Sequence, residues 1–257
     1  MTIQGSIPIF CFSVLIYVQN VHPTCPVDFV DVGEGVCMMI TKLSASFCDA
    51  HAYCETQGIE RGLRLFMPSK NAASLLQMAP ISSRIFTGCT QLLNRSGIQK
   101  MGWRYSDPGW SEFVTGSDDA LIPWAQGEPN YETELVTAYV QHLLYNIAQD
   151  RMKSTHVICE LSNRTYENYM DYMSFDWPYP MPSMFINNAN NFGCFTQAVE
   201  QSIGDCCKRC KQRTVCRSFY YHNVSGYCML SLYVDSLLPV NYSGIGGTWW
   251  RFGRPFW

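Results

Sequence analysis

Apolar positions in this chain fall in short runs bounded by turn formers, and the runs predict a mixed helix-and-strand protein. Residues 45–57 read as a helix closed by Gly58, and Ser69 can cap a second helix that stops near Pro80. The runs Val36–Ile40, Arg84–Thr87, Gly102–Tyr105 and His156–Leu161 read as strands. Between them, residues 106–134 carry Asp-Pro-Gly, Gly-Ser-Asp-Asp and Gly-Glu-Pro-Asn, a long stretch of turn formers of the kind that holds function in a compact domain. Residues 162–193 contain Pro178, Pro180, Pro182 and an Asn cluster without periodicity, and read as a linker whose aromatic content suits packing against a neighbour. Beyond it, a short helix over Asp205–Gln212 and strands over Arg217–Tyr221 and Tyr227–Leu232 are expected.

Cysteines divide the chain. Of thirteen, Cys11 lies in the apolar run Ile7–Val18, which is too short to span a bilayer and sits where a secretory signal belongs, so residues 1–20 read as a signal peptide. The other twelve fall as six from Cys25 to Cys159 and six from Cys194 to Cys228, which predicts two separately stapled domains in an oxidising, extracellular setting. Sequons at Asn94, Asn163, Asn223 and Asn241 agree with a secreted glycoprotein. A net charge of −3 with 15% charged residues and no polybasic block disfavours nucleic acid and anionic membranes as partners, and no later segment reads as a membrane span.

Within the long loop, Trp124-Ala125-Gln126-Gly127-Glu128-Pro129-Asn130 sets two oxygen-bearing side chains on either side of a proline. Both can aim at one point, particularly across a cis Glu-Pro bond, and hard cations such as Ca²⁺ take oxygen cages of that kind. Together with Cys25-Pro26, Phe29, Cys37, Phe47, Ala52, Cys54, Gly88, Trp103 and Val157-Ile-Cys159-Glu160, this order resembles the C-type lectin-like domain over residues 25–161. The resemblance implies the bridges Cys54–Cys159 and Cys25–Cys37. The bridge that braces the long loop in that family has no counterpart, since no cysteine lies between Cys89 and Cys159. Cys48 and Cys89 are left over and are expected to pair.

In sugar-binding relatives the Glu-Pro-Asn residues hold Ca²⁺ with a later Glu and an Asn-Asp pair, while sugar hydroxyls complete the cage. The resemblance thus implies Glu128, Asn130, Glu134 and Asn146 as ligands of both metal and sugar, with Ile147 where the Asp belongs. One carboxylate short, the site should hold calcium no better than roughly 10⁻⁴ to 10⁻³ M. Trp110 and Tyr131 could stack on a sugar, and Asp118-Asp119 could serve an auxiliary site; packing and solvation are the plainer roles.

Residues 194–257, through Cys206-x₃-Cys210-x₅-Cys216 and Cys228-x-Leu230, resemble a PAN/apple domain. That resemblance implies Cys206–Cys228 and Cys210–Cys216, leaving Cys194 with Cys207 by subtraction. Cys207-Lys-Arg-Cys210 then belongs to a disulfide framework, not a redox or zinc motif. No HExxH, GxSxG or P-loop occurs, the five His lack metal-ligand spacing, and Gly244–Gly247 reads as a turn, so an enzyme is not expected. The expected fold is α+β: a disulfide-rich C-type lectin-like domain followed by a small PAN-like one. Its expected function is calcium-dependent binding of mannose-type glycans, with calcium-independent protein binding through the same loops as the alternative.

Overall fold

The computed structural model describes residues 25–93, 98–109, 114–116, 122–163, 174–175, 183–186 and 189–254. The expected signal peptide, Asn94, Trp110, Asp118 and Asp119 lie outside them. In the first unit, β1 (Val30–Asp31), β2 (Cys37–Thr41), α1 (Phe47–Arg61), β3 (Leu65–Phe66), a 3-10 turn (Ala72–Gln77), β4 (Arg84–Thr90), β5 (Val136–Val140), β6 (Leu143–Ile147) and β7 (Val157–Leu161) follow in order. They build two antiparallel sheets, β1-β2-β7-β3 and β4-β5-β6. The first and last long strands lie side by side, with Met39 opposite Cys159, so the ends of the unit meet while the long loop projects from the smaller sheet.

α1 runs past its expected end. Gly58 lies within the helix, where a Cβ would meet Leu63 O at 2.7 Å, so it is a close-packing glycine and not a stop, and the helix ends at Gly62 in the left-handed region (φ 65°). Ser46 caps the start by accepting the Asp49 N–H. The second expected helix is only the 3-10 turn. Gly102–Tyr105 makes isolated bridges through Arg104 instead of a strand.

The second unit contains β8 (Ser174–Phe175), β9 (Phe185–Ile186), β10 (Phe195–Val199), α2 (Ile203–Lys211), β11 (Cys216–His222), β12 (Tyr227–Leu232), β13 (Leu238–Pro239) and β14 (Trp249–Gly253). Its main sheet has the order β10-β12-β11-β14-β8. Residues 162–193, read as a linker, contribute β8 to this sheet and β9 to a parallel pair with β13.

The cysteine pairing is partly different from expectation. Cys25–Cys37, Cys54–Cys159, Cys206–Cys228 and Cys210–Cys216 are bonded. Cys48 does not pair with Cys89, nor Cys194 with Cys207. Cys48 is bonded to Cys194, joining the two units. Cys89 lies fully buried as a thiol in an apolar cluster with Trp103, Ile85 and Ile158, while Cys48 sits on the face of α1 turned to the second unit. Cys207 keeps a half-buried thiol on α2.

That bridge crosses a shared core. One apolar cluster contains Phe47, Phe86, Leu135 and Val157 from the first unit with Phe219, Leu232, Tyr233 and Leu237 from the second. At the seam, His51 stacks on Tyr233, whose hydroxyl donates to Glu55, and Arg213 pairs with the same carboxylate. Burial holds His51 neutral, its pKa pushed down to about 3. Among the described residues no helix is long and apolar enough to cross a membrane.

Candidate functional site

The loop is seated by its backbone and its tryptophan. Ala125 N donates to Leu144 O on β6, and Trp124 packs edge-on against buried Trp103, so this Trp is a packing residue. Gly127 turns the chain at φ 86°, a conformation side chains resist, and the Glu128–Pro129 bond that follows is cis.

Glu128 and Asn130 converge: Asn130 Nδ2 donates to Glu128 Oε1 at 2.8 Å. The other Glu128 oxygen, Oε2, is buried with no hydrogen-bond partner. Asn146 braces the loop from β6. Its Oδ1 accepts the Asn130 N–H at 3.1 Å, and its Nδ2 donates to Tyr131 O and Glu134 O. Glu134 is buried and its Oε1 takes the Arg151 guanidinium at 3.2 Å. Loss of solvent raises both carboxyl pKa values; at Glu128 the Asn146 backbone N–H opposes the rise, and at Glu134 the Arg151 charge opposes it while the nearby Glu128 charge adds to it. Tyr131 stands exposed beside them.

Of the four expected ligands, Glu128 and Asn130 suit a calcium ion. A buried carboxylate oxygen without a partner, next to a second carboxylate that feels its charge, is an acceptor set short of a cation. Turning the Asn130 amide over would present its Oδ1 to the same point. Asn146 Oδ1 keeps one lone pair beyond the Asn130 N–H. Glu134 is engaged by Arg151, and the Ile147 side chain packs on the main core and supplies no oxygen. The donor set therefore fits a weak calcium site, with Glu128 and Asn130 as its centre. No cluster of three or more His, Cys, Asp or Glu side chains placed to hold a metal occurs among the described residues.

Sequence reasoning missed Arg151, Gln149 and Asn191. Arg151 follows β6 without any motif, and Asn191 stands at the end of the Asn cluster that signals only irregular chain. Of the sequons, Asn163, Asn223 and Asn241 are exposed.

Residues 194–240 match the PAN domain family. Solved C-type lectin domains match the other part. The C-type lectin CEL-I from Cucumaria echinata is 13% identical with a TM-score of 0.41, the match covering 55% of this chain and 100% of that one. The C-type lectin domain of murine dendritic cell inhibitory receptor 2, solved in complex with N-glycan, is 18% identical with a TM-score of 0.39, over 55% and 100% of the two chains. Human lithostathine is 13% identical with a TM-score of 0.39, over 59% and 100%. At these identities and TM-scores nothing about those proteins' ligands transfers to this chain. No curated protein matches it.

Proposed function

We propose that this is a secreted carbohydrate-binding protein whose Glu128–Asn130 loop takes neighbouring hydroxyls of a mannose-type sugar, with calcium as a weakly held bridging cation. The observation that carries this reading is the buried, unpartnered Oε2 of Glu128 beside the Asn130 amide. Glu128 would accept a hydrogen bond from one sugar hydroxyl and Asn130 Nδ2 would donate to the oxygen of its neighbour. Asn146 holds the Asn130 backbone in place for both. Calcium, held by Glu128 and Asn130 with support from Glu134 and Asn146, would supply positive charge that orders the hydroxyl oxygens.

One observation favours a second reading. The Arg151–Glu134 pair already gives one site carboxylate a cation, which suits calcium-independent protein contact through the same loop. Retention of the full chain on immobilised mannose, with and without a chelator, separates the two. Retention abolished by chelator supports the sugar site; no retention on any sugar, or retention indifferent to chelator, removes the calcium-dependent reading.

A further inference from the structure

The strand-free stretch from Tyr131 to Glu134 has no internal covalent staple, yet three of its carbonyls accept side-chain hydrogen bonds, from two sides. Asn146 Nδ2 donates to the Tyr131 and Glu134 carbonyls from β6. Of the two carbonyls between them, Thr133 O accepts from Asn191 Nδ2 at 2.6 Å. Asn191 belongs to the lead-in of the second unit and is 1% exposed, so the donor of this part-buried contact is held inside the fold while Thr133 lies at the surface.

Asn191 is itself held. Its Oδ1 accepts the Gln149 N–H at 3.1 Å, directly after the β6 hairpin. Gln149 Oε1 accepts both the Phe192 and Gly193 N–H groups at 2.9 Å, and Gln149 Nε2 donates to Gly193 O. Gly193 sits at φ 64°, where a Cβ would collide with the Ser236 hydroxyl, so the chain must carry glycine to pass this point. Cys194, the next residue, is bonded to Cys48 of α1. A chain of buried and part-buried polar contacts thus runs from the interdomain disulfide to the backbone of the candidate ligand loop.

We propose that Asn191 is a positioning residue of that loop, and that the second unit serves as its brace. The first unit alone would then present Glu128 and Asn130 on a looser backbone, and ligand affinity would depend on the PAN-like unit although that unit touches no ligand. The inference rests on the proposed sugar site for its functional meaning, but not for its mechanical content.

Asn191→Asp in the full chain is the direct test, because it keeps the acceptor for Gln149 N–H and removes the donor to Thr133 O. Asn191→Ser, which restores a short donor in place of the amide, is the second variant should the first fail to fold. Hydrogen exchange should accelerate about tenfold at the Glu134 amide, which donates to Tyr131 O, while β2 and β7 keep their protection. Affinity for calcium and methyl mannoside should fall about five- to tenfold with the melting temperature nearly kept, and Asn191→Ser should recover part of it. Unchanged loop exchange, or a uniform rise across both units, overturns the bracing role. If the wild-type chain binds neither calcium nor sugar, the sugar reading fails while the exchange result still decides the brace.

Discussion

Cys48 on α1 of the first unit is bonded to Cys194 at the start of the first long strand of the second unit, across a sequence separation of 146 residues. Closing so long a loop removes about 5 kcal/mol of unfolded-state entropy in the simple chain model. The bridge crosses a core to which both units contribute, so the two should unfold together. Replacing both cysteines with serine should lower the melting midpoint by about 10 to 20 °C and leave a single transition. Two separate calorimetric transitions in the variant would show that the shared core alone does not couple the units.

Much of the frame was legible in the sequence. Four disulfides follow from cysteine spacing read through family resemblance, and β7, β11 and β12 follow from compact apolar runs. The β5–β6 hairpin that carries Asn146 was not legible. Its turn is Gln141-His142, both at positive φ (49° and 66°), where the usual signal is Asn-Gly or Asp-Gly. Nor was the Cys48–Cys194 pair, because grouping cysteines by sequence block assumes separate cores, and here the core is common. In the site, Glu128 and Asn130 were readable from local spacing. Arg151 and Asn191 reach it only through the tertiary fold.

Glu160 on β7 and Asp107 form a buried acidic pair, and burial first, then the Asp107 charge, pushes the Glu160 pKa up to about 8. A carboxyl raised above its unfolded value stabilises the fold below the unfolded pKa, and that contribution is lost as pH rises through the folded one. His51 acts oppositely. Its folded pKa is depressed, so its contribution is present above the unfolded value near 6.5 and is lost on acidification. Between about pH 6.5 and 8 the acidic pair therefore dominates, and stability should fall with rising pH. Glu160→Gln should flatten that slope in denaturant titrations at pH 6.5 and 8; an unchanged slope would mean that other groups set it.

Arg151 holds Glu134 with a side chain 71% exposed, against 8% for its partner. An ion pair so open to water contributes less than about 1 kcal/mol to stability. Its larger effect should be on the site, since it competes with any metal for the Glu134 carboxylate. Arg151→Ala is expected to tighten calcium binding about threefold and shift the melting point little. Calorimetric calcium titration checks this, and weaker binding in the variant would mark Arg151 as a support of the site instead of a competitor.

The Asn130 side-chain amide gives the most direct measurement of the central claim, because without ligand it donates to Glu128 Oε1. NMR of the full chain titrated with methyl mannoside at about 5 mM calcium, above the affinity expected of a site one carboxylate short, should move that amide resonance. The shift should vanish with chelator or in Glu128→Gln, and weaken on acidification because the raised Glu128 and Glu134 pKa values protonate the site early. An amide resonance that stays fixed through the titration, with calcium present and the fold intact, would contradict sugar binding at this loop.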